Sequence, residues 1–278
     1  MVFERARGRP TKILVLNPNS SKAMTDGIKP IIDAVDLPHS TEVYTYTAPA
    51  DAPASINDGK DIAQSTKAVL ADLEHSDFWD RGYDGVLVAC FSVHPLVPTL
   101  QAGRGGQGQQ ARPAVTGIFE ASVLTALSLL RPEETWGIVT TGKFWEEHLD
   151  AGVLDFLGSG SGSSGGGGGR DSNNTKFAGV ESTGLNASDF HHGVDPEVVR
   201  KKLKEATQRL IRRGGLVTCI VMGCAGMAGL EEIIRSAVSE LRGDEFAYAQ
   251  LHVIDGVRAG IVQVDNMIRN QRLRPGKP

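Results

Sequence analysis

The sequence predicts an α/β protein built on parallel sheets, and three observations carry that expectation. Apolar runs of strand length alternate with helix-period segments along the whole chain. The strand runs are continuously apolar rather than alternating, which is the pattern of strands covered on both faces. With 278 residues the chain can form one large or two modest domains, each burying a core of its own.

The first strand is KILVLN (12–17), and LNPNSSKAMTDG leads from it into a turn and a helix. There Asn17 and Asn19 offer amides, Pro18 fixes the bend, and Ser20 and Ser21 can cap the helix, although ordinary turn chemistry uses the same residues. TEVYTYT (41–47) is the next strand and DIAQSTKAVLADLEH (61–75) the next helix. GVLVAC (85–90) is a buried strand that ends on a thiol. QAGRGGQGQQARP (101–113) is rich in Gly and Gln and can join two domains. AVTGIF (114–119) and WGIVTT (136–141) are strands, each followed by a helix, ASVLTALSLL (121–130) and KFWEEHLDAGVLDFL (143–157). The tract GSGSGSSGGGGGRDSNN (158–174) cannot bury a face and reads as a surface insertion. FAGVES (177–182), LVTCIVMG (216–223) and LHVID (251–255) complete the strands, with helices PEVVRKKLKEATQRLIRRG (196–214) and GLEEIIRSAV (229–238) between them.

Net charge is −4 with both signs interspersed, so nothing supplies the basic field that a nucleic-acid surface needs. The three cysteines, Cys90, Cys219 and Cys224, have no framework spacing and fit free thiols in a reducing compartment. The start, MVFERARGRPTK, is charged and lacks an apolar centre, so no secretory leader is expected. No run approaches the ~18 apolar residues that span a bilayer, so no membrane partner is expected either. The expectation is a cytoplasmic protein that acts on a small molecule.

Two stretches share one layout. VACFS and VMGCAGM each run from a buried strand to a cysteine and then to a helix start. In open α/β sheets ligands sit outside the carboxyl ends of the strands, so Cys90 and Cys224 both stand at that edge. Free N–H groups at a helix start lower a thiol pKa below its ordinary ~8.5 and can hold a developing oxyanion. The plain alternative is that each cysteine is a small apolar filler. Cys219 lies inside its strand, five residues before Cys224, and so faces the other side as core.

Other motifs fail on inspection. Gly137 to Lys143 nearly matches a phosphate loop, but Phe144 stands where Ser or Thr is needed and the intervening residues belong to a strand. Gly223, Gly226 and Gly229 lack dinucleotide spacing. His94 can pair with Cys90 or simply face solvent, and His191 and His192 are adjacent surface residues without metal-ligand spacing.

LNPNSS, PASI (53–56), VACFS, VTGIFEA (115–121), GIVTTGKFW and MGCAGM, in that order, resemble the aspartate/glutamate/hydantoin racemase superfamily. The match is closest to its hydantoin and allantoin racemase branch, especially the fungal members linked to nitrogen catabolism. The resemblance covers nearly the whole chain apart from the glycine tract and the two ends. It implies two pseudo-symmetric lobes, each a four-stranded mainly parallel sheet, with the active site in the cleft between them. Residues 1–112 with 244–278 would form the first lobe, holding the strands at 12, 41, 85 and 251. Residues 113–243 would form the second, holding those at 114, 136, 177 and 216 and the insertion at 158–174. Asn17 to Ser20 would mirror Thr140 and Thr141, and Cys90 would mirror Cys224.

The resemblance also implies two catalytic thiols, Cys90 and Cys224, each serving one face of the substrate carbon as base or acid. Asn17, Asn19, Ser20, Ser55, Ile56, Phe91, Ser92, Thr140, Thr141, Gly223, Ala225 and Gly226 would surround the substrate, a 5-substituted hydantoin or allantoin whose ring carbonyl takes up the carbanion charge. Neither metal nor pyridoxal phosphate is implied, and a closed homo-oligomer is the common outcome for such folds. One departure stands out: many bacterial hydantoin racemases carry Gly-Asp-Pro where this chain has Ser92-Val93-His94-Pro95. That puts the substrate side chain in doubt while leaving Cys90 in place. Two rival readings are a one-cysteine decarboxylase or cis–trans isomerase of the same superfamily and a non-catalytic sensor of a ureide or amino-acid metabolite.

Overall fold

The computed structural model describes residues 9–103, 112–158, 176–190 and 193–273. The Gly/Gln-rich stretch 104–111, the glycine tract from 159 to 174, His191 and His192 lie outside the described residues. The chain begins β1 (Thr11–Asn17), α1 (Lys22–Gly27), α2 (Lys29–Asp33), β2 (Thr41–Thr47), α3 (Gly59–His75), β3 (Gly85–Val88), α4 (Leu96–Ala102), β4 (Ala114–Gly117) and α5 (Ile118–Leu129). It continues through β5 (Glu134–Thr140), α6 (Phe144–Phe156), β6 (Phe177–Ser182), α7 (Pro196–Arg212), β7 (Leu216–Gly223), α8 (Glu231–Arg242), β8 (His252–Asp255) and α9 (Gly256–Arg272).

Among the described residues the strands form two four-stranded sheets, β2-β1-β3-β4 and β6-β5-β7-β8, and every pair is parallel. Burial explains the continuous apolar runs. In β1, Ile13 and Val15 join a core that also holds Trp136, Ile138 and Val221 of the second sheet. Leu14 and Leu16 point the other way, into a core under α3 and α4 with Val86 and Val88. The second sheet is divided likewise: Cys219 and Val221 face the shared core, while Ile220 and Met222 face α7 and α8. Cys219 is fully buried.

Two strands lie in the opposite lobe from the one expected. The strand from Ala114 pairs with β3, and the strand at 252 pairs with β7. Each thus completes a local β-helix-β unit with the strand before it, which keeps sequence neighbours adjacent in space. The crossings between lobes are made by helices instead. α5 leaves the first sheet and packs on β7 and β8, while α9 leaves the second sheet and packs on β3 and β4; the two helices lie against each other.

The strand expected to reach 119 stops at Gly117, where α5 starts at once. α9 has no counterpart among the sequence-based elements, although Val257, Ile261, Val264 and Ile268 recur at helical spacing and are all buried. Its start is capped by Asp255, whose carboxylate accepts the N–H of Arg258 at 2.8 Å. α2 was likewise not expected, and α4, the helix expected after the Cys90 strand, claims residues 101 and 102 of the Gly/Gln-rich stretch. No helix among the described residues is long and apolar enough to cross a membrane.

The fit of α9 on the first sheet is close. A Cβ on Gly260 would lie 2.5 Å from Cδ1 of Leu87, and one on Gly85 would lie 2.3 Å from Cγ1 of Val264. Gly260→Val should therefore overpack this contact and cost about 1–3 kcal/mol. Urea unfolding of the variant should show a midpoint clearly below that of the parent; an unchanged midpoint would mean that α9 does not seat on β3.

Candidate active site

The carboxyl ends of β1, β3, β5 and β7 carry the residues singled out by sequence. Cys90 follows β3 by two residues, and the backbone there is still tied to β1 through Ala89 N–H to Leu16 O at 2.8 Å. Cys224 follows β7 directly and caps a short 3-10 turn, Ala225–Met227. Both thiols sit at intermediate exposure, unlike Cys219. The two cysteines stand at equivalent places, one at the carboxyl edge of each sheet. The walls meet around them: α1 packs against the turn after Cys224, and the space beside Gly152 of α6 is filled by Val93 of the Cys90 loop.

The two sulfurs differ in their partners. Cys224 Sγ accepts the N–H of Gly226 at 3.3 Å. Cys90 Sγ accepts the hydroxyl of Ser92 at 3.4 Å. These donors favour thiolate, as expected from the helix starts, yet desolvation is larger and opposite. Burial pushes the Cys90 thiol up to about 12 and the Cys224 thiol up to about 11. The expectation of thiolates available near neutrality is thus corrected for the free protein, because removal from water costs the charged form more than the donors return.

The loop after β1 is held largely by its own side chains. The Asn17 amide donates to Asn19 Oδ1, Ser21 O and Thr25 Oγ1, and its oxygen accepts Asn19 N–H. Ser21 rather than Ser20 caps α1, and Ser20 Oγ donates to Ala52 O at 3.0 Å. Asn19 keeps more in reserve, since its Nδ2 meets only the thioether of Met24 at 3.4 Å. Ser55 bonds Asn57. Ile56 and Phe91 are in the apolar core, Phe91 edge-on to Phe119 with ring centroids 5.7 Å apart, so neither side chain brings a polar contact to the cleft.

In the second lobe the Thr140 hydroxyl donates to Gly223 O at 2.8 Å and locks β5 to β7. A Cβ on Gly223 would come within 2.7 Å of Ile138 Cγ2, so glycine is required there. Thr141 is a buried residue, and no hydrogen bond joins its hydroxyl to another described side chain, while its carbonyl takes the N–H of Gly184 at 2.9 Å. Ala225 packs against the shared core.

Two further residues belong to this region. His94 is 1% exposed, so it does not face solvent as sequence allowed. Its Nδ1 accepts Leu96 N–H at 3.3 Å, which places the proton on Nε2, 3.4 Å from Ser65 Oγ. Ser65 in turn donates to Pro18 O at 2.7 Å, so a buried chain of three residues braces the Cys90 loop against the Asn17–Ser21 loop. Glu120 lies within VTGIFEA, and its position three residues after the helix-capping Gly117 is the signal that marks it. Its carboxyl is raised by burial, and Oε2 has no hydrogen-bond partner. Among the described residues no cluster of three or more His, Cys, Asp or Glu is placed to hold a metal ion.

Residues 13–264 match a family model described as Asp/Glu/Hydantoin racemase. An uncharacterized protein of Schizosaccharomyces pombe is 30% identical over 93% of this chain and 92% of its own length. A hydantoin racemase of Rhizobium meliloti is 25% identical, over 92% of this chain and 88% of that one. Among solved structures, allantoin racemase from Klebsiella pneumoniae superposes with a TM-score of 0.69 at 25% identity, covering 96% of this chain and 95% of that one.

The buried imidazole generates a stability prediction. Burial depresses His94 to about 4, below its ordinary 6.5, so between those values the unfolded chain binds a proton that the folded one refuses. Stability is then full above pH 6.5 and falls as pH drops toward 4, by about 3 kcal/mol from this residue. His94→Asn, whose side-chain oxygen can replace Nδ1 as acceptor, should flatten this part of the curve in urea unfolding at pH 7.0, 5.5 and 4.5. Parallel curves for both proteins would show that His94 is not held neutral.

Proposed function

The chain belongs to the Asp/Glu/hydantoin racemase family, and on that premise we propose that it inverts the carbon alpha to a carbonyl of a 5-substituted hydantoin or allantoin, without a cofactor, through Cys90 and Cys224. The carrying observation is the pair itself: two cysteines of intermediate exposure at matching sheet edges. The hydantoin racemase and allantoin racemase relatives support the substrate class.

Inversion needs a base on one face of the carbon and an acid on the other. One thiolate takes the proton and becomes S–H, and the C–H electron pair passes into the ring carbonyl as an enolate. The opposite thiol then gives its proton to the other face and becomes the thiolate, so protons and charge balance. Asn19 Nδ2, the Thr141 hydroxyl and the backbone N–H of Ala225 are the donors for the ring carbonyls. Asn17, Ser20 and Thr140 shape the loops that present them.

Removing one thiol separates exchange from inversion. Cys90→Ser should lower inversion by roughly three orders of magnitude. In D₂O it should still exchange the Cα proton of the enantiomer that faces Cys224, and Cys224→Ser should show the opposite preference. Polarimetry follows inversion and proton NMR follows exchange, on single-enantiomer hydantoins and allantoin. Near-parental inversion by both variants, or exchange of the same enantiomer by both, would refute the two-thiol mechanism.

The raised thiols set the pH dependence. The base is a thiolate, whose fraction grows tenfold per pH unit below its pKa, so kcat/KM should climb through neutral and mildly alkaline pH toward about 11. A profile that is flat from pH 6 to 9 would mean that free-enzyme thiols do not limit the reaction.

A further inference from the structure

We propose that Glu120 is a positioning residue that makes the thiol pair unequal, so that when one of the two thiols ionises the negative charge resides on Cys224 and Cys90 keeps its proton. Its mechanistic meaning rests on the racemase reading; its readout does not.

The placement follows from the sheet. β3 and β4 are paired with Val88 opposite Gly117, so the end of β4 lies beside the strand that delivers Cys90 two residues later. Gly117 caps α5, and Glu120 occupies the third helical position, from which a glutamate side chain reaches back to the cap. The reach is close: a Cβ on Gly117 would lie 2.4 Å from Glu120 Oε2. The carboxyl lies over the cap, and its Oε2 is buried without a hydrogen-bond partner. A helix cap alone does not require that. A buried acceptor without a donor is costly, and such groups call for an explanation in function.

The explanation is the neighbouring sulfur. The charge of Glu120 opposes a thiolate at Cys90, whereas repulsion between the two sulfurs is mutual and favours neither. The Cys224 sulfur receives the backbone N–H of Gly226. Cys90 has one hydroxyl donor, Ser92. Each sulfur thus has one donor, and the Glu120 charge is what favours thiolate on Cys224 and thiol on Cys90. The singly ionised pair therefore presents its base from the second lobe and its acid from the first. After one inversion the proton has moved from Cys90 to Cys224, and Glu120 favours its return. Since enantiomers are equal in free energy, kcat/KM must be equal in both directions, so the bias is read from the thiols and not from that ratio.

The test is alkylation by iodoacetamide from pH 6 to 10, with peptide mapping to follow each cysteine. In the parent, Cys224 should react before Cys90, and the fully buried Cys219 last. Glu120→Gln keeps the cap and removes the charge; the rate at Cys90 should rise about tenfold at a given pH, with its profile moved to lower pH, while Cys224 stays within about twofold. Cys90 reacting before Cys224 in the parent would overturn the inference with no variant needed. An unmoved Cys90 profile in a folded Glu120→Gln protein would also overturn it. Absence of inversion on every hydantoin and on allantoin would sink the proposed reaction and leave this labelling order to be judged separately.

Discussion

The packing of α5 against α9 is the contact on which the cleft depends. Each helix starts at the end of a strand in one sheet and is buried on the other sheet, so neither lobe completes its inner face alone. The shared core joins Ile13, Val15 and Leu87 to Trp136, Ile138 and Val221 through residues of both helices. Such cores are close-packed and transmit small shifts. The two cysteine edges are therefore held at a fixed separation by apolar contacts behind them. No hydrogen bond between the cleft walls is needed to align them, which leaves the polar groups in front available to a ligand.

That design has an electrostatic consequence. A thiol at about 11 is ionised to roughly one part in ten thousand at pH 7. Scarcity is partly offset by strength, because the thiolate that does form is a better base for a carbon acid. A carbon alpha to a carbonyl in a conjugated ring suits this compromise. The ring accepts the charge as an enolate, and the same donors that support a thiolate can support that oxygen. Desolvation penalises the localised charge on sulfur more than the delocalised one on the enolate, so closure of the site around a substrate favours transfer.

Much of this was legible in the sequence, for identifiable reasons. Strands covered on both faces announce themselves as apolar runs, and the strand–thiol–helix repeat marks both site edges without any partner information. The lobe assignment of β4 and β8 was not legible, because their apolar runs fit either sheet and only the local β-helix-β rule separates the choices. α9 was missed although its buried residues recur at helical spacing, since polar residues such as Arg258, Asp265 and Asn266 dilute the signal. His94 was left between pairing with Cys90 and facing solvent, and Glu120 was not singled out. A titratable side chain's burial depends on which elements cover it, and composition around it does not report that. The expected lowering of thiol pKa failed at this point too: helix-start donors can be counted from sequence, whereas desolvation cannot.

The stretch Ser92-Val93-His94-Pro95 shows how function and framework share residues here. Ser92 touches the Cys90 sulfur, Val93 lies against Gly152 of the opposite lobe, and His94 reaches Ser65 and through it the carbonyl of Pro18. A change in these residues relative to other racemases therefore cannot be read as a change of pocket lining alone. It alters the hydroxyl that supports a thiolate, one interlobe contact and the brace between the two first-lobe loops together. The donors left unspent, Asn19 Nδ2 and Thr141 Oγ1, lie on loops of opposite lobes, whereas Asn17, Ser20 and Thr140 are consumed in holding those loops. A planar ring with carbonyls on two sides matches such a divided set of donors, since each lobe can hold one carbonyl while its thiol addresses one face of the carbon between them.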